Sequence, residues 1–319
     1  MIAVTPESKG NTTMGKNATL CILLVLAAAL GTRAQDDQVF KFKKALPTKG
    51  MTFALAHQRT MNMDVEATIP DHPPFNSTMA MKEHQVSEQK ILAVSEVGVT
   101  KLSFSMKKHE ETESQNMGGQ ERNKSESDPR LGKTFIVELK DGKVDVSAPE
   151  GGEVPADVRG AFEKEMQKGA GLGRLFDPCR GLDGALAGKE LKVGDKVELS
   201  SEQLEKLMHG EGENDGSMPE VKKAILTVQR AVNYLGTDCV AFSADFEFSG
   251  TTGQEQNPMN VGAHLEGEYL VGLGNCWIYK ANLSGPMSMN SVNAGHGGMN
   301  IAGKGKMDMT GNVIVSQGD

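Results

Sequence analysis

Apolar and polar residues alternate along the first third of the chain, and this alternation predicts long β-strands. The odd positions of Met51–Ile69 are mostly apolar and the even positions mostly polar. Strict two-residue alternation is typical of a strand with one buried and one solvated face. The run Pro70-Asp71-His72-Pro73-Pro74 ends this strand, because proline donates no hydrogen bond to a ladder. Two further strands are predicted in Phe75–Val86 and Lys90–Lys107.

The next segment, residues 110–133, is polar and charged with almost no apolar side chains. Such a segment buries too little apolar surface to offset the entropy lost on ordering, so a mobile loop is predicted there. After it, Asp141-Gly142 separates two short apolar runs, Thr134–Leu139 and Val144–Val146. Asp-Gly between such runs is a strong signal of a β-hairpin.

Two short helical segments are predicted in the middle of the chain. Pro155 suits a first helical turn, and apolar residues recur at helical spacing after it. Ser200 and Gln203 form a capping-box pattern that begins a second helix, which extends to His209. Between the helices, Lys189–Leu199 resembles two short strands about a Gly194-Asp195 turn.

Strands return in the last third of the chain, separated by turns that contain Gly, Asn or Asp. The predicted strands are Ala224–Tyr234, Cys239–Ser249, Met259–Val271, Cys276–Leu283 and Ile301–Met309. Short connections imply an antiparallel meander. The predicted fold is α+β and mostly β: one large, curved antiparallel sheet resembling half a barrel, with the two helical segments inserted mid-chain. Its parts are a strand block at 39–148, a helical insertion at 154–209 and a strand block at 220–315.

An apolar run near the N-terminus predicts export. Ala18–Leu30 has basic residues before it and small residues after it, and it is shorter than the roughly 20 apolar residues of a membrane-spanning helix. We therefore predict a secretory signal peptide over residues 1–34, cleaved after Ala34, that begins at Met1 or Met14. The remaining residues, 35–319, are predicted to form a single secreted or periplasmic β-rich domain.

Composition limits the classes of partner. The chain has a formal net charge of −8 and 5% aromatic residues. Nucleic acids and anionic membranes are bound through concentrated positive charge, so neither is a predicted partner. The sequence also contains no recognisable catalytic motif, metal-ligand spacing or cofactor motif. An enzyme whose site is assembled from distant strands stays open as an alternative.

Three cysteines follow the predicted signal peptide, namely Cys179, Cys239 and Cys276. An odd number leaves room for one internal disulfide at most. Cys239 and Cys276 each begin a predicted strand and are the candidate pair, while two buried free thiols are an equal alternative.

Methionine is the most unusual feature of the composition. Sixteen methionines follow residue 34, and eight of them form four Met-x-Met pairs. In a strand, two-residue spacing places both side chains of a pair on one face. The pairs are Met61/Met63, Met79/Met81, Met287/Met289 and Met307/Met309. Three interpretations compete: simple core filling, an adaptable surface for a lipid, acyl chain or hydrophobic partner, and a thioether site for Cu(I) or Ag(I).

The export signal, the long alternating strands, the helical insertion and the closing meander together are similar to one known group. The chain resembles secreted bacterial proteins with the lipoprotein-carrier-like fold, a curved antiparallel sheet covered by helices. Lys189–Leu199, with its Lys-Val-Gly-Asp core, resembles a segment common in exported bacterial proteins. The resemblance covers residues 40–315 and implies an apolar ligand or acyl chain on the concave face. The leading hypothesis is a non-enzymatic exported protein that binds such a ligand, or a hydrophobic partner, on a methionine-lined sheet face.

Overall fold

The computed structural model describes residues 38–69, 71–96, 98–117, 120–140, 143–167, 176, 182–209, 220–252, 258–293 and 299–317. Within these ranges, twelve strands form one antiparallel sheet and two further strands pair separately. Three short helices accompany them in the same ranges. The mostly β architecture with a large antiparallel sheet is confirmed, and the sheet is open.

The strands of the large sheet follow the alternating segments of the sequence, except that the strand predicted at Lys90–Lys107 is divided between two antiparallel strands. They are β2 (Met51–Thr68), β3 (Phe75–Ser95), β4 (Gly98–Met117), β5 (Gln120–Glu126), β6 (Thr134–Lys140), β7 (Lys143–Ser147), β9 (Lys196–Glu198), β10 (Glu220–Tyr234), β11 (Thr237–Thr252), β12 (Met259–Gly272), β13 (Ile278–Asn293) and β14 (Met299–Gln317). Their spatial order is β7-β6-β4-β3-β2-β14-β13-β12-β11-β10-β9, and β5 pairs with β4. The short strands β1 (Phe40–Lys41) and β8 (Glu190–Leu191) pair with each other.

Strand β14 joins the two strand blocks into one sheet. It pairs with β13 on one side and with β2 on the other, and its pairing with β2 runs without interruption from Asn300–Thr68 to Gln317–Met51. The last strand of the chain therefore lies beside the first long strand. Register shifts in the β3–β4, β10–β11 and β12–β13 pairs bend the sheet, since an extra residue on one strand increases local twist.

The helices are α1 (Ala156–Gln167), α2 (Asp183–Leu186) and α3 (Ser201–His209). The predicted capping box of α3 is confirmed: the Gln203 N–H donates to Ser200 Oγ at 3.2 Å, and the Ser200 N–H donates to Gln203 Oε1 at 2.9 Å. The sequence predicted two helical segments, and α2 is a third that the apolar pattern did not reveal, because four residues are too few to show a period.

The prediction of a loop over residues 110–133 is wrong for most of that segment. Strand β4 continues to Met117 beside β3, and β5 folds back on β4 in register from Glu111–Glu126 to Met117–Gln120. The side chains of this hairpin are mostly exposed. Polar residues extend a strand here because the backbone ladder begun by the β3–β4 pair continues past the apolar core. Absence of apolar residues therefore did not indicate absence of structure.

The buried apolar side chains form two clusters. The first joins α2 and α3 to strands β10–β13 and includes Leu186, Leu204 and Phe242. The second joins α1 to β4 and β6, where the Phe162 ring lies 5.5 Å from the Phe104 ring and 5.6 Å from the Phe135 ring between centroids. Phe53 of the second cluster and Met63 of the first are both at odd positions of β2, so both point to the same side of the sheet. We call this side the inner face.

The predicted signal peptide over residues 1–34 and the cysteine at Cys179 lie outside the described residues. Among the residues that are described, no helix has the length and apolar character needed to cross a membrane.

Candidate functional site

The strand register brings all four Met-x-Met pairs together on the inner face. Met307 of β14 lies opposite Met61 of β2, which lies opposite Met81 of β3. In the next row, Met63 lies opposite Met79. The eight methionines at 61, 63, 79, 81, 287, 289, 307 and 309 therefore occupy four adjacent strands, β13, β14, β2 and β3. We call this group the methionine patch.

Glycines of β14 form the floor of the patch. Gly305 lies between Met287 and Met63 in the register, and Gly303 lies next to Met289. A Cβ atom on Gly303 would meet Met289 Cγ and Met63 Cε, each at 2.9 Å. Two methionine side chains from opposite neighbouring strands therefore lie over this glycine. The absence of a side chain on β14 lets the thioethers from β2 and β13 approach each other across it.

The patch is only partly covered by the described residues. Met63 is 4% exposed and Met287 is 9% exposed, whereas the other six methionines are half-buried. Five of those six pack against the first core cluster. Towards the β2–β3 connection the same face continues to Phe75, which lies opposite Ala67 and is 37% exposed, and Ile69, just past the end of β2, is 41% exposed. The apolar surface thus begins at the core and reaches the rim of the sheet.

A polar band crosses the inner face between the two apolar clusters. It consists of two cross-strand rows on β2, β3 and β4, namely His57–Gln85–His109 and Arg59–Glu83–Glu111. On β2 it separates Leu55, which packs against the second cluster, from Met61, which packs against the first. The band directly adjoins the patch, because Arg59 Nη2 donates to Met81 Sδ at 3.6 Å.

The sequence predicted the patch residues but not the polar band. One signal was present: His57 and Arg59 occupy odd positions of β2, where the surrounding odd positions are apolar. The contribution of β4 could not be found in the same way. Between residues 86 and 87 of β3 the pairing partner on β4 changes from Lys108 to Met106, so one residue of β4 is skipped. The inner face of β4 therefore changes from even positions, such as Leu102, to odd positions, and His109 and Glu111 face inward although strict alternation would place them outward.

A buried ion pair lies beside the band. Arg130 binds Asp128 through its Nε and Nη2 atoms, the shortest contact being 2.7 Å, and both side chains are less than 10% exposed. The guanidinium of Arg130 also lies over the rings of Phe162 and Phe104, at 4.9 and 5.5 Å. Burial alone would raise the pKa of Asp128, but the hydrogen bonds and charge of Arg130 outweigh it and hold that pKa below its usual value. This ion pair holds the Asp128–Arg130 segment between α1 and the sheet.

The candidate disulfide between Cys239 and Cys276 is not formed. Both thiols are free and buried. Cys276 Sγ instead donates to the Lys43 carbonyl at 3.1 Å, and burial raises the pKa of each thiol to about 11. Buried, protonated thiols of this kind act as small apolar side chains.

One group of metal-binding residue types lies on the opposite, polar face. His264 Nε2 is 3.0 Å from Asp245 Oδ1 and 3.9 Å from Glu266 Oε1. Lys223 also forms an ion pair with Asp245, and hydrogen bonding to that ammonium lowers the pKa of the carboxyl. Since the Lys223 ammonium already supplies the positive charge beside Asp245, we interpret this cluster as an ion-pair network and not as a metal site.

Comparison with known proteins gives no family. No protein-family model matches the chain, and no curated protein matches it. A lipovitellin structure that describes lipid–protein interactions aligns with 85% of this chain at 9% identity and a TM-score of 0.36. This chain spans only 26% of that lipovitellin chain. A LolA-superfamily protein from Nitrosomonas europaea aligns over 82% of this chain and 86% of its own, at 10% identity and a TM-score of 0.14. Superpositions this loose assign the chain to neither group.

Proposed function

We propose that this protein is a non-enzymatic, exported protein that binds a hydrophobic ligand, a lipid or an acyl chain, on the methionine patch. The observation that carries the proposal is the register, which gathers eight methionines from four separate segments into one continuous surface. Thioether side chains are flexible and polarisable, and they adapt to apolar groups of varied shape.

The exposure of the patch favours ligand binding over simple core filling. Six of the eight methionines are half-buried rather than buried, in contrast to Leu186, Phe242 and Phe246 of the adjoining core, which are each fully buried. The other face of the same strands is polar, with exposed residues such as Asn62, Lys82 and Lys304. An apolar surface left partly exposed on one face only is the usual mark of an interaction site.

A titration with a naphthylamine dye that fluoresces in apolar surroundings tests the proposal. The variant Met61→Gln/Met307→Gln changes two paired patch residues while it preserves side-chain length. Loss of part of two apolar contacts should weaken dye binding about tenfold. The matched control is Ile314→Gln, which removes an apolar side chain that is 51% exposed on the opposite face of β14.

The expected result is a larger dissociation constant for the patch variant and an unchanged dissociation constant for Ile314→Gln. Circular dichroism of both variants checks that the sheet is intact. Absence of saturable dye binding by the wild-type protein, or equal binding by the wild type and the patch variant, would contradict the proposed function. Native mass spectrometry of the protein from its own source should in addition show a co-purifying lipid.

The alternative of a Cu(I) or Ag(I) site is favoured by the row of three thioethers, Met307, Met61 and Met81. Against it, the Arg59 guanidinium donates to Met81 Sδ, so a fixed positive charge lies where the cation would bind. A Cu(I) titration under reducing conditions, with the Met61→Gln/Met307→Gln variant as its control, decides between the two. Equal Cu(I) affinity of the two proteins rejects the metal site.

A further inference from the structure

The polar band has hydrogen-bonding capacity that the described residues do not use. Arg59 Nε is buried and donates no hydrogen bond to any of them, because its nearest carboxylate oxygen, Glu83 Oε2, is 3.8 Å away. A buried donor without an acceptor costs about 1–3 kcal/mol. The Arg59 side chain as a whole is 37% exposed, so an acceptor from outside the chain can reach the guanidinium from its exposed side. Arg59 is therefore placed to bind an anionic oxygen.

His109 provides a second such group in the neighbouring row. Its Nδ1 atom is buried and has no hydrogen-bond partner within the described part of the chain. Its other ring nitrogen, Nε2, is 4.0 Å from Glu111 Oε2, and the side chain is 13% exposed. His109 also contributes to the lowered pKa of Asp128, the carboxylate that is bound to Arg130.

Carboxylates complete the band and limit the charge of any ligand. Glu83 and Glu111 lie opposite each other in the row of Arg59, whereas Glu113 of the next row lies opposite Lys124 of β5. A purely anionic head group would meet Arg59 but also the carboxylates of Glu83 and Glu111. A purely cationic head group would be repelled by the positive charge of Arg59. A head group with both charges can place its anion beside Arg59 and its cation beside the carboxylates.

Resting on the proposed function, we propose that the ligand is a zwitterionic amphiphile. Its anionic phosphate oxygen binds Arg59, its ammonium lies against Glu83 and Glu111, and its alkyl chain runs along the methionine patch. The distance along the strand allows this arrangement. From Arg59 to Ile69 at the rim, β2 and its exit span about 33 Å at 3.3 Å per residue, which accommodates a long alkyl chain.

Four probes with the same dodecyl chain test the head-group preference. They are dodecylphosphocholine with both charges, dodecyl phosphate with the anion, dodecyltrimethylammonium with the cation, and dodecanol with neither. Each is titrated below its micelle concentration by displacement of the naphthylamine dye from the full-length protein. We expect dodecylphosphocholine to bind about tenfold more tightly than dodecanol, as one charge-assisted hydrogen bond provides.

Variants assign the two charges. Arg59→Gln should weaken dodecylphosphocholine and dodecyl phosphate about tenfold and leave dodecanol unchanged. Glu111→Gln should weaken only the two probes with an ammonium group. The matched controls are Arg230→Gln and Glu268→Gln, because these two residues form a 2.8 Å ion pair on the opposite face. If Arg59→Gln does not fold, Arg59→Lys replaces it, because lysine keeps the charge but lacks the planar guanidinium donors. Its affinity for dodecylphosphocholine should lie between those expected for the wild type and for Arg59→Gln.

The outcomes separate this inference from the proposed function. Equal affinity for all four dodecyl probes, or tightest binding of a singly charged one, overturns the zwitterionic assignment and leaves apolar binding intact. Failure of every probe, dodecanol included, overturns the proposed function itself. Free phosphocholine, which has no chain, should not displace the dye; displacement by it would identify a soluble ligand instead of an amphiphile.

Discussion

The glycine floor of the methionine patch makes a graded prediction about stability. Gly303, Gly305 and Gly311 all lie on the inner face of β14, but a methyl group on each would meet different neighbours. On Gly305 it would strike the Asn62 carbonyl oxygen and approach the Met63 Cα to 2.8 Å, and neither backbone atom can rotate away. Gly305→Ala must therefore separate β14 from β2, and we expect it to lower the free energy of unfolding by about 3 kcal/mol.

The other two positions calibrate this effect. On Gly303 the added methyl meets only side-chain atoms, Met63 Cε and Met289 Cγ, each at 2.9 Å, so rotamer changes of the two methionines relieve the contact. The lower chain entropy of alanine in the unfolded state offsets part of that cost, so Gly303→Ala should change stability by less than about 1 kcal/mol. On Gly311 the nearest atom is Ala281 Cβ at 3.9 Å, and Gly311→Ala should be neutral or stabilising by about 0.5 kcal/mol.

Urea unfolding of the three variants, followed by circular dichroism, measures these differences. The expected order of midpoints is Gly311→Ala at or above the wild type, then Gly303→Ala, then Gly305→Ala far below. A Gly305→Ala protein as stable as Gly311→Ala would refute the close approach of β2 and β14, and with it the register that assembles the patch.

Three further predictions concern the surroundings of the site. The folded-state pKa of Asp128 is lowered, so its pairing with Arg130 stabilises the fold fully above about pH 4 and is lost as pH falls through the folded pKa. Asp128→Ala should cost about 3 kcal/mol at pH 7, and urea titrations should show this difference shrinking in acid; a constant difference would contradict the pairing. Cys239 and Cys276 are buried, and burial raises the pKa of each thiol to about 11. Both should therefore be alkylated far more slowly at pH 8 in the native protein than in urea, as measured by mass spectrometry of the peptides. Equal alkylation rates in the two conditions would show that the thiols are accessible. Ser200→Ala removes the acceptor of the Gln203 N–H and should destabilise the fold by about 1 kcal/mol in thermal unfolding, whereas an unchanged midpoint would show that the cap contributes nothing.

Two-residue alternation was sufficient to predict β2 and the shared face of each methionine pair. The Met61/Met63 pair illustrates why: spacing in a strand fixes which side a residue faces, independent of tertiary contacts. The single strand predicted at Lys90–Lys107 is wrong, because residues 90–95 belong to β3 and pair antiparallel with the start of β4. The sequence also predicted the Ser200–Gln203 cap, because both hydrogen bonds are local. It also predicted that the segments on either side of Asp141-Gly142 pair with each other, and β6 and β7 do pair antiparallel.

Features that depend on pairing between distant strands were not accessible in this way. The β2–β14 register, which places Met307 opposite Met61, joins segments almost the whole chain apart. The β4–β5 hairpin was missed because backbone pairing, not apolar burial, holds its polar residues in strands. The part of the polar band on β4 was missed because the shift between β3 and β4 changes which residues of β4 face inward.

Photochemical cross-linking tests most directly whether the methionine patch is the binding surface. A dodecyl probe with a diazirine near the end of its chain is bound to the full-length protein, irradiated, and the labelled peptides are identified by mass. We expect labels on the inner face of β2, β3, β13 and β14, concentrated within residues 61–65, 79–81, 287–291 and 303–309, and reduced by an excess of unlabelled probe. Labels confined to the polar face of these strands, or a labelling pattern that competitor leaves unchanged, would contradict binding on the methionine patch.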